Sequence, residues 1–209
     1  MIAKENQNPR PSREPISAGM HQARCYGLFD LGTHYDEKFL KEKRELIIMW
    51  EVPGERIQIE REGKTLDLAR TIPKKYTLSL HEKARLRHDL ESWRGRPFTT
   101  DELGGFDMKA ILGKPCLLNI THVQKDDKTY ANVGAITPLM KGMNATEQEN
   151  PSASFSFDDG SNVFPESMPE WVCDIAAKSK EWVAIEDKKK APAAAPAPKE
   201  QAKDENVPF

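Results

Sequence analysis

Four places in this chain set a flat ring beside cations. Trp50 follows Lys43 and Arg44, Tyr76 follows Arg70 and Lys74-Lys75, Trp93 precedes Arg94 and Arg96, and Tyr130 follows Lys125 and Lys128. A ring can receive an unstacked base, and a cation can hold the phosphate beside it. Together they suit a single-stranded polynucleotide, where stacking contributes about 1–3 kcal/mol per base. If residues 74–80 are a strand, Lys74, Tyr76 and Leu78 share one face, which puts a cation and a ring together. Each ring also has a structural reading. Trp50 lies in a strongly apolar run that suits a core, and Trp93 ends a helical pattern and can pack on a sheet. Tyr76 and Tyr130 have polar neighbours and are expected to be exposed. Arg94 and Arg96 flank Gly95 in a turn, where a guanidinium can reach a phosphate or simply stay solvated. The candidate binding residues are therefore Lys74, Lys75, Tyr76, Arg94, Arg96, Tyr130, Trp50, Trp93, Lys125 and Lys128.

A second chemistry sits at the end of the chain. Asp204, Glu205, Val207, Pro208 and Phe209 combine two acids with a small apolar tip and a free carboxylate. Ala191 to Pro198 form an Ala/Pro spacer that cannot build a core. A loosely held acidic peptide ending on Phe is suited to capture by another protein.

Other chemistries find no support in the spacing. There is no G-x-x-x-x-G-K-[ST] phosphate loop, no G-x-S-x-G elbow and no H-E-x-x-H, so no catalytic residue, cofactor or metal is expected. Asp126-Asp127 reads as a solvated turn. Cys25, Cys116 and Cys173 are scattered and odd in number, which fits reduced thiols. The 209 residues are 38% hydrophobic and 31% charged. No apolar run is long enough to cross a membrane, and residues 1–15 lack the apolar stretch of a secretory leader, so a cytoplasmic location is expected. Charge is unevenly spread. Residues 143–185 carry eight carboxylates against two lysines, residues 186–209 are balanced, and the overall net of −2 leaves residues 1–142 at +4. A mildly basic body suits a polyanionic partner.

The elements that must position these residues are mostly strands. The pattern predicts a disordered arm over 1–17, then a strand over Met20–Thr33 with a bulge or bend at Gly27. It predicts a second strand over Leu46–Val52 ended by Pro53-Gly54, a short hairpin or loop over 56–68, and a third strand over Lys74–Leu80. Apolar residues then recur at helical spacing from His81 to Trp93, with Ser79 and Glu82 at capping-box spacing and Gly95 and Pro97 as stops. Short helical turns are expected at 100–103 and 107–112. Strands over 114–124 and 129–138 follow, joined by a polar turn. Residues 143–185 are read as a loop and one helix (169–183) packed on the sheet, and 186–209 as a disordered Lys/Ala/Pro linker with its tip. The fold class is mainly β. Five strands with a helix between the third and fourth is the arrangement of an OB fold, a small Greek-key barrel over residues 18–142.

Several segments extend that reading into a family. Leu28-Phe29-Asp30-Leu31-Gly32-Thr33, the Trp50-Glu51 strand, Tyr76 to Leu80, Leu90 to Thr99, Gly105-Phe106-Asp107, Leu112 to Cys116 and Tyr130 to Val133 resemble the OB-fold single-stranded DNA-binding proteins of tailed bacteriophages. The chain's ending resembles the acidic tip of their bacterial counterparts, although Asn206-Val207 replaces an acid and Ile. The resemblance implies a protein that coats single-stranded DNA during phage replication and recombination in the host cytoplasm. It further implies that the tip recruits replication or recombination proteins. A protein-interaction adaptor with an OB-like barrel and a strand-annealing protein are the alternatives, and self-association is left open.

Overall fold

A computed structural model describes residues 14–61 and 63–190. The chain is mainly β. Strands β1 (Gly19–Asp36), β2 (Lys41–Arg61), β3 (Lys64–Thr77), β4 (Pro115–Lys125) and β5 (Lys128–Thr137) form one antiparallel sheet in the order β3-β2-β1-β4-β5. A short β6 (Ala153–Phe155) pairs with β1 in parallel.

The curl of the sheet starts in β1. Its first residues, Gly19 to Arg24, pair with β4, and Arg24 to Asp36 pair with β2. Register shifts against β2 bend it, one at Cys25/Gly27 just after the strand passes from β4 to β2 and one further on at Asp30/Gly32. Bulges do this because the extra residue has no partner and the local twist rises. The expected irregularity at Gly27 is one of the two. A Cβ at Gly27 would sit 2.9 Å from the Phe29 ring. The result is a half-barrel. Its end strands β3 and β5 approach each other, but no ladder joins them among the described residues.

The sheet has a separate core on each face. Inside the curl, Ile48, Trp50, Val52, Ile72, Tyr76, Leu118, Ile120 and Ile136 close on helix α1 (Arg85–Arg94), which contributes Leu86, Leu90 and Trp93. On the outside, Phe29, Leu31, Ile47 and Met49 are covered by β6 and by α3 (Glu170–Ala176) through Phe155, Val172 and Ala176. Glu51 points to the same outer side and is fully buried. Its carboxylate accepts from the backbone N–H groups of Glu149 (2.9 Å) and Asn150 (2.7 Å) and from Asn150 Nδ2 (2.7 Å), which ties the loop after β5 to the sheet.

Several boundaries differ from expectation, each for a physical reason. β2 does not stop at Pro53-Gly54. It absorbs them in a bulge between Val52 and Arg56, where a missing N–H costs no ladder bond, and continues into a two-stranded arm with β3. Of the hairpin or loop expected over 56–68, it is the hairpin that forms, as that arm. Helix α1 starts at Arg85 rather than at His81, because Ser79 Oγ turns back to accept from the His81 N–H (3.2 Å). The capping box lies instead at Thr99 and Glu102, ahead of the short α2 (Thr100–Gly104). The single late helix is two. Ser179 is buried and accepts from the Trp182 N–H (3.2 Å), which starts α4 (Lys180–Lys190). That helix also overrides the expected start of a disordered tail at 186. At the other end, Ile16 is buried in the inner core, so residues 14–17 are not part of a free arm.

Candidate nucleic-acid interface

The β4–β5 hairpin is the best-built presentation of a ring with cations. Asp126 (φ 49°) and Asp127 (φ 59°) are both left-handed, the pattern of a tight two-residue hairpin turn, and Asp is among the few residues that enter that region readily. Lys125 pairs with Lys128, and Val123 with Tyr130. Paired residues point to one side, as do residues two apart, so Val123, Lys125, Lys128 and Tyr130 form one patch. Tyr130 is 49% exposed. Between this hairpin and β3 runs a groove of about 660 Å³, lined by Arg70 to Pro73, by Asp127 to Ala131 and by Glu14 to Ile16. It lies along the seam where β3 and β5 are not hydrogen-bonded.

The remaining predicted residues lie elsewhere, and they are buried or ion-paired. Trp50 is 0% exposed and packs against Trp93, ring centres 6.0 Å apart. Trp93 is buried as well, with its Nε1 donating to the Pro115 carbonyl (2.9 Å). Neither offers a face to a base. Tyr76, expected at the surface, is 4% exposed. Its hydroxyl donates to Asp89 (2.8 Å), which also accepts from Lys74 Nζ (2.6 Å) and Arg85 Nε (2.9 Å). Burial pushes the Tyr76 hydroxyl well above the usual phenol range, and the Asp89 charge adds to the shift. Burial likewise lowers the Lys74 ammonium, with Asp89 offsetting part of the effect. Lys74 and Tyr76 are thus a buried ion-pair cluster, not a binding pair.

Lys75 is exposed but bound to Glu45 (2.8 Å). Arg94 and Arg96 share the Glu102 carboxylate, and Arg94 stacks on Phe98 with its guanidinium 4.4 Å from the ring centre. The Thr99 N–H, then Arg94 and Arg96, hold Glu102 down at about 2. The turn around Gly95 is therefore an ordered salt-bridge network. The tip residues Asp204, Glu205, Val207, Pro208 and Phe209 lie outside the described residues.

No protein-family model matches this chain, and comparison with curated proteins and with solved structures gives no significant match.

A second exposed patch was not anticipated. At the β1–β2 turn, Tyr35 and Phe39 (each 57% exposed) stand beside Leu40. Lys43, Lys38 and Lys41 place their ammonium groups 4.3, 5.6 and 5.8 Å from the Phe39 ring centre. Lys43 is paired with Asp36, whose carboxyl it holds below its ordinary value. The sequence carried a signal here: two rings spaced among charges, at the exit of one strand run and the entry of the next. Among the described residues no cluster of three His, Cys, Asp or Glu side chains is arranged for a metal ion, and no helix is long and apolar enough to cross a membrane.

Proposed function

We propose that this chain binds single-stranded DNA without strong sequence preference, as a coating protein built on an OB-type barrel. The observation that carries the reading is Tyr130, a half-exposed ring on a tight two-residue hairpin, with Lys125 and Lys128 on its own face and Arg70 across the groove. The strand order, with β1 shared between β2 and β4 and the helices inserted between β3 and β4, supports the barrel topology. So does the resemblance to tailed-phage single-stranded DNA-binding proteins drawn from the sequence. The patch at Tyr35 and Phe39 adds a second stacking position of the same chemistry. The groove contains acids as well as cations, so binding rests on backbone charge and ring contact rather than on a uniformly positive surface. In this reading the acidic, Phe-ended tip recruits replication or recombination proteins to the coated strand.

Fluorescence anisotropy of labelled oligo-dT tests the proposal. Three phosphate contacts, from Arg70, Lys125 and Lys128, set a slope of about −2 in log K against log salt, or roughly a twentyfold loss between about 50 and 200 mM. Absence of binding at the lower salt ends the proposal. Deleting residues 204–209 should leave this affinity intact and abolish capture of partner proteins. Partners that stay attached would sink the role of the tip.

A further inference from the structure

Two cavities of about 360 Å³ share Phe106 as a wall and carry opposite charge. One is lined by Asp30, Asp107, Asp158 and Asp159, with Lys109 among them. The other is lined by two cations, Arg94 and Lys114, and by no carboxylate. The rest of its lining is apolar. Leu90 and Trp93 come from α1, Ile111 from the 3-10 turn Met108–Ile111, and Pro115 from the start of β4. Leu90, Trp93 and Ile111 also belong to the inner core, so the floor of this cleft is fixed by packing. Both cations are held at their stations. The Lys114 N–H donates to the Ile111 carbonyl (3.1 Å) and its carbonyl accepts from the Cys25 N–H (3.1 Å), while its side chain is exposed and forms no ion pair among the described residues. The Arg94 guanidinium lies 4.4 Å from the Phe98 ring centre and 5.3 Å from that of Phe106, with Nη2 bound to Glu102. Its Nη1 is buried and has no hydrogen-bond partner among the described residues.

A buried charged donor without an acceptor is costly, and an anion at this place would supply one. The apolar floor suits an aliphatic or aromatic side chain, the kind of anchor that dominates a protein interface when it fills a pocket. A nucleobase is a poorer match, because the lining side chains offer no acceptor to its N–H groups and burying those unpaired is unfavourable. The two cations sit at different depths, Arg94 in the wall with 16% of its side chain exposed and Lys114 at the rim. They suit two carboxylates on either side of an apolar group rather than one small acid. The cleft also stands apart from the Tyr130 hairpin. It opens beside Pro115 at the first residue of β4, and the hairpin turn follows Lys125 at the last, about 33 Å further along the strand.

We propose that the cleft between α1 and the start of β4 is a docking site for an acidic peptide segment of a partner protein, which buries one apolar side chain over Trp93 and Ile111 and sets carboxylates on Arg94 and Lys114. The site does not depend on the reading of the β3–β5 groove as a DNA interface. The test titrates the ¹⁵N-labelled full chain with blocked peptides in which a central Phe, Trp, Leu or Ile is flanked on each side by two Asp. Amide signals of Ala110 and Lys114 and the Trp93 indole N–H should shift together with at least one of the four peptides. Replacing the central residue by Ser, or the acids by Asn, should abolish the shifts. Lys114→Glu should weaken binding about tenfold, the loss expected for a charge-assisted contact. Ala110→Trp fills the cleft from an exposed position, so it should abolish binding and leave the melting temperature unchanged. Absence of shifts with all four peptides up to about 1 mM overturns the proposal. So do shifts centred on Lys125 and Tyr130 or on Phe39, which would make the peptide a general polyanion. Shifts of Ala110, Lys114 and the Trp93 indole with oligo-dT in place of peptide also overturn it, by making the cleft a nucleic-acid site.

Discussion

Tyr130→Ala separates ring contact from charge contact, and the structure sets its size. The ring is 49% exposed and its cross-strand partner is Val123, so removing it takes away a stacking face and one aromatic–β-branched pair. The lost stack should weaken oligo-dT binding by about 1–3 kcal/mol, which is between fivefold and somewhat over a hundredfold. The lost pair costs only about 0.2–1 kcal/mol of stability, a fall of at most about 4 °C in melting temperature. Tyr130→Phe keeps the ring and should bind within about twofold of the parent, given that stacking is the interaction at stake. The salt slope should stay put in both variants, since no cation is removed. Tyr76→Phe is the matched contrast. It deletes the hydroxyl that donates to buried Asp89, costing about 1–3 kcal/mol of stability and leaving affinity unchanged. The reasoning fails if Tyr130→Ala binds like the parent. It fails equally if Tyr76→Phe weakens binding while its melting temperature holds.

Three further outcomes test the scaffold. Glu51→Gln replaces an acceptor of three N–H donors by an amide that can accept through one oxygen only, so at least one buried N–H loses its partner. Stability should fall by about 2–3 kcal/mol, with faster amide exchange at Glu149 and Asn150; unchanged exchange there would refute the latch. Gly32→Ala forces a side chain into a left-handed residue (φ 74°) and sets a Cβ 2.5 Å from the Ser179 Cβ, so it should cost about 1–3 kcal/mol in urea unfolding. A neutral result would mean that the junction of α3 and α4 does not bear on β1 as tightly as the geometry says. Glu102 titrates at about 2 in the fold against an ordinary value of 4.5. Because the folded value is the lower one, its contribution is complete above pH 4.5 and disappears as pH falls toward 2. Melting temperature followed across that window should decline less in Glu102→Gln than in the parent; parallel declines would show that the Arg94–Arg96 network carries no acid sensitivity.

The strands were legible because their residues are strand-like over long runs, and because Gly27 marked a bulge. The helix after β3 was legible from Leu86, Leu90 and Trp93. Tyr76 was misplaced although its parity was on the page: Ile72, Lys74 and Tyr76 alternate together, so an apolar Ile72 turned inward takes Tyr76 with it. What local pattern could not supply were the partners. Lys74 meets Asp89, Lys75 meets Glu45, and Arg94 and Arg96 meet Glu102, each brought together by topology rather than by neighbourhood in sequence. Ion pairing of this kind converts a run that reads as a basic patch into a balanced surface. The break between α3 and α4 was hidden for a similar reason. Ser179 is a poor signal alone and becomes a helix start only because β1 presents Gly32 against it.

The covered outer face has a consequence for how a strand can be held. A curled sheet would ordinarily offer the convex surface of its central strands, but here Phe29, Leu31, Ile47 and Met49 are buried under Phe155, Val172 and Ala176. On the proposed reading, contact would fall to the β3 side and the hairpin turns, which is where Tyr130, Tyr35 and Phe39 stand exposed. These turns lie towards opposite ends of β1: Gly19 pairs with Ile120, from which β4 runs on through Lys125 to the β4–β5 turn, and Asp36 pairs with Lys41 at the β1–β2 turn. Seventeen steps of strand separate the two ends, a contour of at most about 58 Å before the bulges shorten it. If the proposed single-stranded DNA binding holds, the two patches would act as separate grips on one strand, with the covered sheet lying between them.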